Sequence, residues 1–398
     1  MKNTIAAIDF GTSKIVTLVA ENSGAQRCDI VSAGIEPYDG FTADGWNNPA
    51  EVDAAIRASI QQAEGEHQKR RIHEVNVGVP ATFTHVYVAE GVVQLKGTDP
   101  KVTPDDVKKV FENAKETLRG VQGVMVHSSP AWFTVDDGKK TLEPVGLKGR
   151  ELRGFISVVM ANQFFVDDVT MRLQAMNITP AGFFSTSTGE AILYLPEEDR
   201  DRTCVLLDMG YLCTDVMVAE GDALIFQKTI DLGGGHIAAA LADALDIHLS
   251  AAEQIKRQYV YGISIADATY DVNVGEDSRV MSFTREQVTA AIEPLVDELA
   301  QEIKTTLEES GIKLGDWSKV YMTGGGLAFN RGGKDYLSGK LERPVRETPK
   351  RTVKLNSHAF SSALGLMDLI VDTFEQQRQP SQGIGGKISD FFRILLGG

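Results

Sequence analysis

An apolar strand that runs straight into Asp-x-Gly constrains this chain more than any other feature. Near the N-terminus Ile5-Ala6-Ala7 leads into Ile8-Asp9-Phe10-Gly11-Thr12-Ser13-Lys14-Ile15, and Val16-Thr17-Leu18-Val19 follows. The pattern predicts a strand, a tight turn and a second strand. Glycine lets the backbone bend back closely, and the amides of such a turn line a concavity that suits phosphate. Asp9 is a hard oxygen ligand, suited to a hydrated divalent cation beside that phosphate. No Gly-Lys-Ser/Thr closes the loop, so it is not a Walker turn. An ordinary hairpin with a polar tip fits the same residues. A similar unit recurs at Thr203-Cys204-Val205-Leu206-Leu207-Asp208-Met209-Gly210, with Thr214 and another strand after it. Its unbroken apolar run predicts a strand buried on both faces.

At 398 residues the chain is too long for one small core, so two or more domains are expected. A formal net charge of -15 argues against nucleic-acid binding, which needs a basic footprint. Cys28, Cys204 and Cys213 are widely spaced and form neither a metal pattern nor a disulfide framework, which fits a reducing cytoplasm. Asp9 interrupts the first apolar run, so no signal sequence is expected, and no stretch reaches the roughly 20 apolar residues of a membrane span.

Residues 1–80 alternate strands with a helix that begins near Pro49 and carries Val52, Ala55, Ile56 and Ile60 on one face; a strand resumes over Glu74–Pro80. Residues 81–160 read as a unit of their own. Strands are expected over Thr84–Val88, Gly91–Leu95, Gly123–His127, Ala131–Val135 and Phe155–Met160. Between them, Thr103-Pro104-Asp105-Asp106 starts a helix with a hydroxyl cap, proline and first-turn acids. A helix over Gln163–Met176 returns the chain to an α/β pattern. A long acidic helix over 283–310 reads as a solvated face, and Val320-Tyr321-Met322-Thr323 runs into Gly324-Gly325-Gly326. His127, beside Ser128 and Ser129, reads as a structural histidine.

Taken in order, these segments resemble the FtsA family of bacterial cell-division actin homologues, over nearly the whole chain. The resemblance rests on IDFGTSK (8–14), VTPDDVKKVFENAK (102–115), VHSSP (126–130), LEPVGLKGRELRG (142–154), EEDRDRTCVLLDMG (197–210), DLGGGHIAAALADAL (231–245), AAEQIKRQYVYG (251–262), MTGGG (322–326) and SSALGLMDLI (361–370). It implies an α/β, actin-like two-lobed fold of the actin/chaperone/sugar-kinase ATPase superfamily, with an inserted 1C subdomain. The implied organisation is 1A over 1–80, 1C over 81–161, 1A again over 162–198, 2A over 199–234, 2B over 235–310, 2A again over 311–356, and a helix closing 1A over 357–374. A linker (375–386) and an amphipathic helix (387–398) follow.

The resemblance also implies ATP and Mg2+ in the cleft between the lobes. Asp9 and Asp208 would hold the metal through water. Gly11, Thr12, Ser13 and Lys14 would meet the β-side phosphates, Gly210 and Thr214 belong to the second phosphate turn, and Gly324, Gly325 and Gly326 admit the adenosine end. Glu253 and Lys256, one helical turn apart, would reach ribose or base; without the resemblance they read as a solvated ion pair. One departure stands out. The family has Asp-x-Gly-Gly-Gly-Thr-x-Asp at its second turn, and this chain has Asp208-Met209-Gly210-Tyr211-Leu212-Cys213-Thr214-Asp215. Glycines there permit φ > 0 and close phosphate approach, both unfavourable for bulky side chains. Phe184-Ser185-Thr186-Ser187 also lacks the Gln or Glu that orients water in actin-like hydrolases. Slow or absent hydrolysis is expected.

The tail reads from its own residues. Glu375–Gly386 is polar and rich in Gln, Gly and Pro, as a flexible linker is. In the last twelve residues Ile388, Phe391, Phe392, Ile394, Leu395 and Leu396 share one broad helical face, with Ser389, Asp390 and Arg393 opposite. This predicts an in-plane anchor on an anionic membrane surface, or a helix that docks on protein. Half-burying six such side chains gives roughly 5–9 kcal/mol gross, part of which ordering the helix consumes. One tail is then a weak anchor, and several on a polymer a firm one. The expected function is a cytoplasmic scaffold, peripheral on the inner face of the membrane at the division site. It would polymerise, bind the FtsZ C-terminal tail through 2B and recruit later divisome membrane proteins. A PilM-like pilus-assembly scaffold is the alternative; an actin-fold small-molecule kinase would need a cleft base and substrate pocket that no segment supplies.

Overall fold

A computed structural model describes residues 4–22, 28–67, 70–262, 268–274, 279–327, 330–349 and 355–378. The chain forms two units. One comprises the chain up to Thr203, Met217–Gln227 and the C-terminal helix from Ser362; the other comprises Cys204–Val216 and Lys228–Ser361.

The first unit opens with β1 (Thr4–Phe10) and β2 (Lys14–Asn22), antiparallel, with Phe10 opposite Ile15. After β3 (Cys28–Pro37) and the short β4 (Phe41–Thr42) and β5 (Gly45–Trp46), α1 (Pro49–Glu66) starts on a proline whose fixed φ suits a first helical position. Its buried stripe is Val52, Ala55, Ile56, Ile60 and Ala63. The helix lies directly on β3, where a Cβ on Gly34 would sit 1.7 Å from the Ser59 carbonyl oxygen. β6 (Glu74–Val79) then runs parallel to β1.

The insertion follows: β7 (Thr84–Gln94), α2 (Pro104–Glu116), β8 (Val124–Val135) and β9 (Glu151–Ala161). The strands form a three-stranded antiparallel sheet in the order β7-β9-β8, and Val107, Val110, Phe111 and Ala114 of α2 pack on one face of it. Thr103 and Asp106 cap α2 reciprocally, each side chain accepting from the other's backbone N–H. Two breaks expected in this sheet are absent. Residues 84–94 form one strand, because Gly91 marks a close approach of α2 and not a turn: a Cβ there would lie 2.0 Å from the Val110 carbonyl oxygen. Residues 124–135 also form one strand, with a bulge between Pro130 and Trp132 that accommodates a residue lacking N–H.

α3 (Gln163–Ala175), β10 (Thr179–Ser185), α4 (Thr186–Tyr194) and the short α5 (Glu197–Arg200) complete the main run of this unit, whose five-stranded sheet has the order β10-β6-β1-β2-β3. Phe10, the last residue of β1, is fixed in an aromatic cluster with Trp46 and Phe165 at ring separations of 5.5 and 5.7 Å. Trp46 Nε1 donates to Asp168 at 2.7 Å, which also accepts from Arg172.

The second sheet has the order β13-β12-β11-β16-β17. β11 (Cys204–Met209) is central and its first four residues are fully buried, as an unbroken apolar run predicts. β12 (Thr214–Glu220) and β13 (Ala223–Ile230) lead to α6 (Gly234–Leu245), α7 (Leu249–Gln258), the hairpin β14 (Thr269–Val274) and β15 (Arg279–Thr284), and α8 (Arg285–Glu309). α8 is not simply a solvated acidic face. Its Glu293 accepts from the Tyr259 hydroxyl at 2.8 Å, and its Asp297 from the Tyr336 hydroxyl at 2.7 Å. β16 (Val320–Thr323) pairs in parallel with β11; α9 (Gly333–Leu341) and β17 (Val345–Glu347) follow.

The last helix, α10 (Ser361–Arg378), crosses α4 where two glycines meet. A Cβ on Gly189 would lie 2.3 Å from the Gly365 carbonyl oxygen, and one on Gly365 would lie 2.5 Å from the Glu190 nitrogen. Because α10 runs to Arg378, the first four residues assigned to the linker are helical. The rest of the linker and the amphipathic segment, with Ile388, Phe391, Phe392, Ile394, Leu395 and Leu396, lie outside the described residues. Among the described residues no helix is long and apolar enough to cross a membrane.

Candidate functional site

Both Asp-x-Gly turns close in the same way. The Gly11 N–H donates to the Lys14 carbonyl at 3.0 Å, and the Gly210 N–H to the Cys213 carbonyl at 2.8 Å. Each turn joins two strands that follow each other in the chain, and each carries its aspartate two residues ahead of the glycine. The coarse duplication seen in the sequence is therefore a structural one.

In the first unit Asp9 is 4% exposed and accepts from the Ser362 hydroxyl of α10 at 2.8 Å. Burial pushes its carboxyl up to about 6, against the Ser362 hydrogen bond and the Lys14 charge, which both pull it down. Thr12 is buried as well; its carbonyl lies against Gly40, whose φ of +76° and lack of a side chain allow the next loop to pass over the turn. A Cβ on Gly11 would sit 3.1 Å from the Lys14 oxygen, so this position has little room for a side chain. A buried carboxylate beside a glycine-lined turn fits a hydrated divalent cation with phosphate.

The second turn is built differently around the same closure. Neither Tyr211 nor Leu212 has a positive φ, so the bulky pair introduces no left-handed strain. Three glycine segments meet here backbone to backbone. The N–H groups of Gly234 and Gly235, at the start of α6, donate to the carbonyls of Gly210 (3.0 Å) and Tyr211 (2.6 Å), and the Gly326 N–H donates to the Met209 carbonyl at 2.6 Å. Gly324 has φ +86°, and a Cβ on it would lie 2.2 Å from Asp208 Oδ1. Gly325 is half-buried beside them. Thr214 is fully buried and its hydroxyl donates to the Leu232 carbonyl at 2.7 Å. The Gly210 N–H and the Thr214 hydroxyl are thus both bonded within the protein, Gly210 in the same closure that Gly11 makes in the first turn. Asp215, one residue on, is pushed up to about 7 by burial and then by the Asp208 charge, while Thr229 holds it from the other side at 2.6 Å.

Glu253 and Lys256 are not a solvated ion pair. Lys256 is 5% exposed, donates to Glu253 Oε1 and to the Gly234 carbonyl, both at 2.6 Å, and lies 5.8 Å from the Tyr211 ring centre. Burial lowers its affinity for a proton and the Glu253 carboxylate restores part of it. The pair thus belongs to the same glycine junction as Gly326 and Gly210. The His127 pKa is pushed down to about 4 by burial and by the Lys115 charge, so the ring is neutral and only a weak proton acceptor beside Ser128 and Ser129.

Ser362 carries no signal of its role in the sequence; it is 353 positions from Asp9. Gly233, Gly234 and Gly235 are legible only as part of a similar segment, although their spacing, three glycines at a predicted helix start, signals a close backbone approach.

Two family models match the chain: "Cell division protein FtsA" over residues 205–365 and "SHS2 domain inserted in FTSA" over residues 83–160, together more than half of its length. Among similar proteins, the cell division protein FtsA of Pseudomonas aeruginosa is 23% identical over 374 residues, covering 91% of this chain and 88% of the relative. That of Neisseria meningitidis is 23% identical over 389 residues, covering 95% and 93%. Among solved structures, a PilM–PilN type IV pilus biogenesis complex matches with a TM-score of 0.60 at 18% identity, covering 92% of this chain and 98% of that one. MreB 5 of Spiroplasma citri bound to AMPPNP matches with a TM-score of 0.55 at 10% identity, covering 94% and 99%. These likenesses establish the actin-like fold with its SHS2 insertion.

Proposed function

This chain belongs to the FtsA family of cell-division proteins, and we propose that it acts in division as a nucleotide-binding, polymerising scaffold that tethers the FtsZ ring to the cytoplasmic face of the membrane. The observation that carries the reading is the insertion at residues 83–160, in its family place within an actin-like fold. In this reading ATP is held with Mg2+ by Asp9 and Asp208 through water, with Gly11, Thr12, Ser13 and Lys14 at the phosphates. Gly324, Gly325 and Gly326 take the adenosine end, and Glu253 and Lys256 reach ribose or base. Support comes from the burial of Asp9 and Lys256 and the close backbone packing at Gly324 and Gly326. Bound nucleotide supplies a polyanion with its cation; the chain's own groups orient it and exclude water. The segment 387–398 anchors the protein, 2B takes the FtsZ C-terminal tail, and the insertion serves subunit contacts and later divisome membrane proteins.

Flotation with anionic liposomes tests this. FtsZ is expected to float with the full-length chain and to stay behind with a chain cut after Gln382. If the protein floats and FtsZ does not, the partner is wrong, and the PilM-like reading, which has the likeness to the PilM–PilN complex behind it, takes its place. If the full-length chain never floats, the tail is a docking helix and the tether fails.

A further inference from the structure

We propose that Tyr211 is a built-in plug at the second phosphate turn, which makes this chain bind ADP and ATP alike. The inference rests on the nucleotide-binding reading above. The N-terminus of a helix attracts a phosphate only while its first amides are available and its approach is open. At α6 neither condition holds. The N–H groups of Gly234 and Gly235 are spent on the carbonyls of Gly210 and Tyr211, and the His236 N–H on the Gly233 carbonyl at 3.1 Å. The Gly233 N–H, just ahead of the helix, donates to His236 Nδ1 at 3.1 Å.

The ring of Tyr211 then covers what the amides leave. A Cβ on Gly235 would lie 2.8 Å from Tyr211 Cε1 and 2.9 Å from its Cζ, so the phenol rests on the bare glycine backbone of the helix start. The buried ammonium of Lys256, 5.8 Å from the ring centre, faces the same ring and is already committed to Glu253 and the Gly234 carbonyl. The second turn, which in the family pattern presents glycine at this position, here presents a filled surface. Its backbone needs no φ > 0, so the ring sits there without strain and is a stable part of the fold. A terminal phosphate that approaches the second turn from this side therefore meets the Tyr211 ring, with the α6 amides behind it already bonded, and recognition falls to the parts that ADP and ATP share.

Titration calorimetry of the purified full-length protein with MgATP and with MgADP tests this. The two affinities are expected to agree within about twofold. In Tyr211→Gly/Leu212→Gly, which removes the ring and opens the backbone it covers, ATP is expected to gain about tenfold over ADP. A wild-type preference for ATP of about tenfold or more overturns the plug, as does a double variant that melts cooperatively and still treats the nucleotides alike. The wild-type ratio decides the matter even if the double variant does not fold. Absence of binding by either nucleotide overturns the nucleotide reading itself, and the plug with it.

Discussion

Asp9→Asn is expected to stabilise the ligand-free protein at pH 7.5 and at the same time to abolish its stabilisation by magnesium nucleotide. The carboxyl is buried and its folded pKa is about 6, above the ordinary 3.8. A raised acid binds its proton more tightly in the folded state, so folding is disfavoured once the group must ionise. The penalty is absent below about pH 3.8, grows between there and about 6, and is full above it. A rise from 3.8 to about 6 is worth at most about 3 kcal/mol. Asparagine keeps an oxygen to accept from Ser362 and removes the charge. Denaturant unfolding of both proteins should show the variant ahead at pH 7.5 and the two level at pH 4. Saturating ligand at about 100-fold its Kd should add about 2.7 kcal/mol to the wild type and almost nothing to the variant. Equal stabilities at pH 7.5, or a difference unchanged at pH 4, would sink the account.

Gly324→Ala should be among the most damaging single-methyl changes in the chain. Two effects add. The residue has φ +86°, which alanine adopts at a cost of roughly 1 kcal/mol. Its Cβ would also lie 2.2 Å from Asp208 Oδ1 and 2.4 Å from the Met209 carbonyl oxygen, and backbone at the junction cannot yield without opening the Gly326–Met209 hydrogen bond. Overpacking of this kind costs a further 1–3 kcal/mol, roughly. Gly311→Ala separates the two effects, since Gly311 has φ +66° with nothing within 4 Å of its Cβ position. It should lose only the backbone share, about 1 kcal/mol. If the two variants shift the denaturation midpoint equally, the close packing at Asp208 has no energetic consequence.

The parts of this fold that are legible in sequence are those with local causes. The capping residues Thr103 and Asp106 start α2 as they should, and the apolar run Cys204–Leu207 is a central strand. The departures come from residues whose meaning depends on a distant partner. Gly91 looks like a strand break until Val110 is seen against it, and Pro130 looks like another until its bulge is seen. The candidate site divides in the same way. Asp9 and Gly11 carry their own signal, whereas Ser362, which holds Asp9, is an ordinary serine at a helix start. Tyr211 and Leu212 look like a source of strain or of a wider turn only if glycine at these positions means a need for positive φ. The turn has no such need, and the missing glycines alter only what stands above it.

α10 joins the two ends of this logic. It is a rod of 18 residues, about 27 Å long, whose first turn bonds Asp9 and whose second turn is seated on α4 through Gly365 and Gly189. Its far end, Arg378, is where the chain departs toward the last twenty residues. Tension drawn through that departure point would act on a helix whose other end carries the Ser362–Asp9 bond. A pull on the tail and the charge on a buried carboxylate would then bear on one and the same helix.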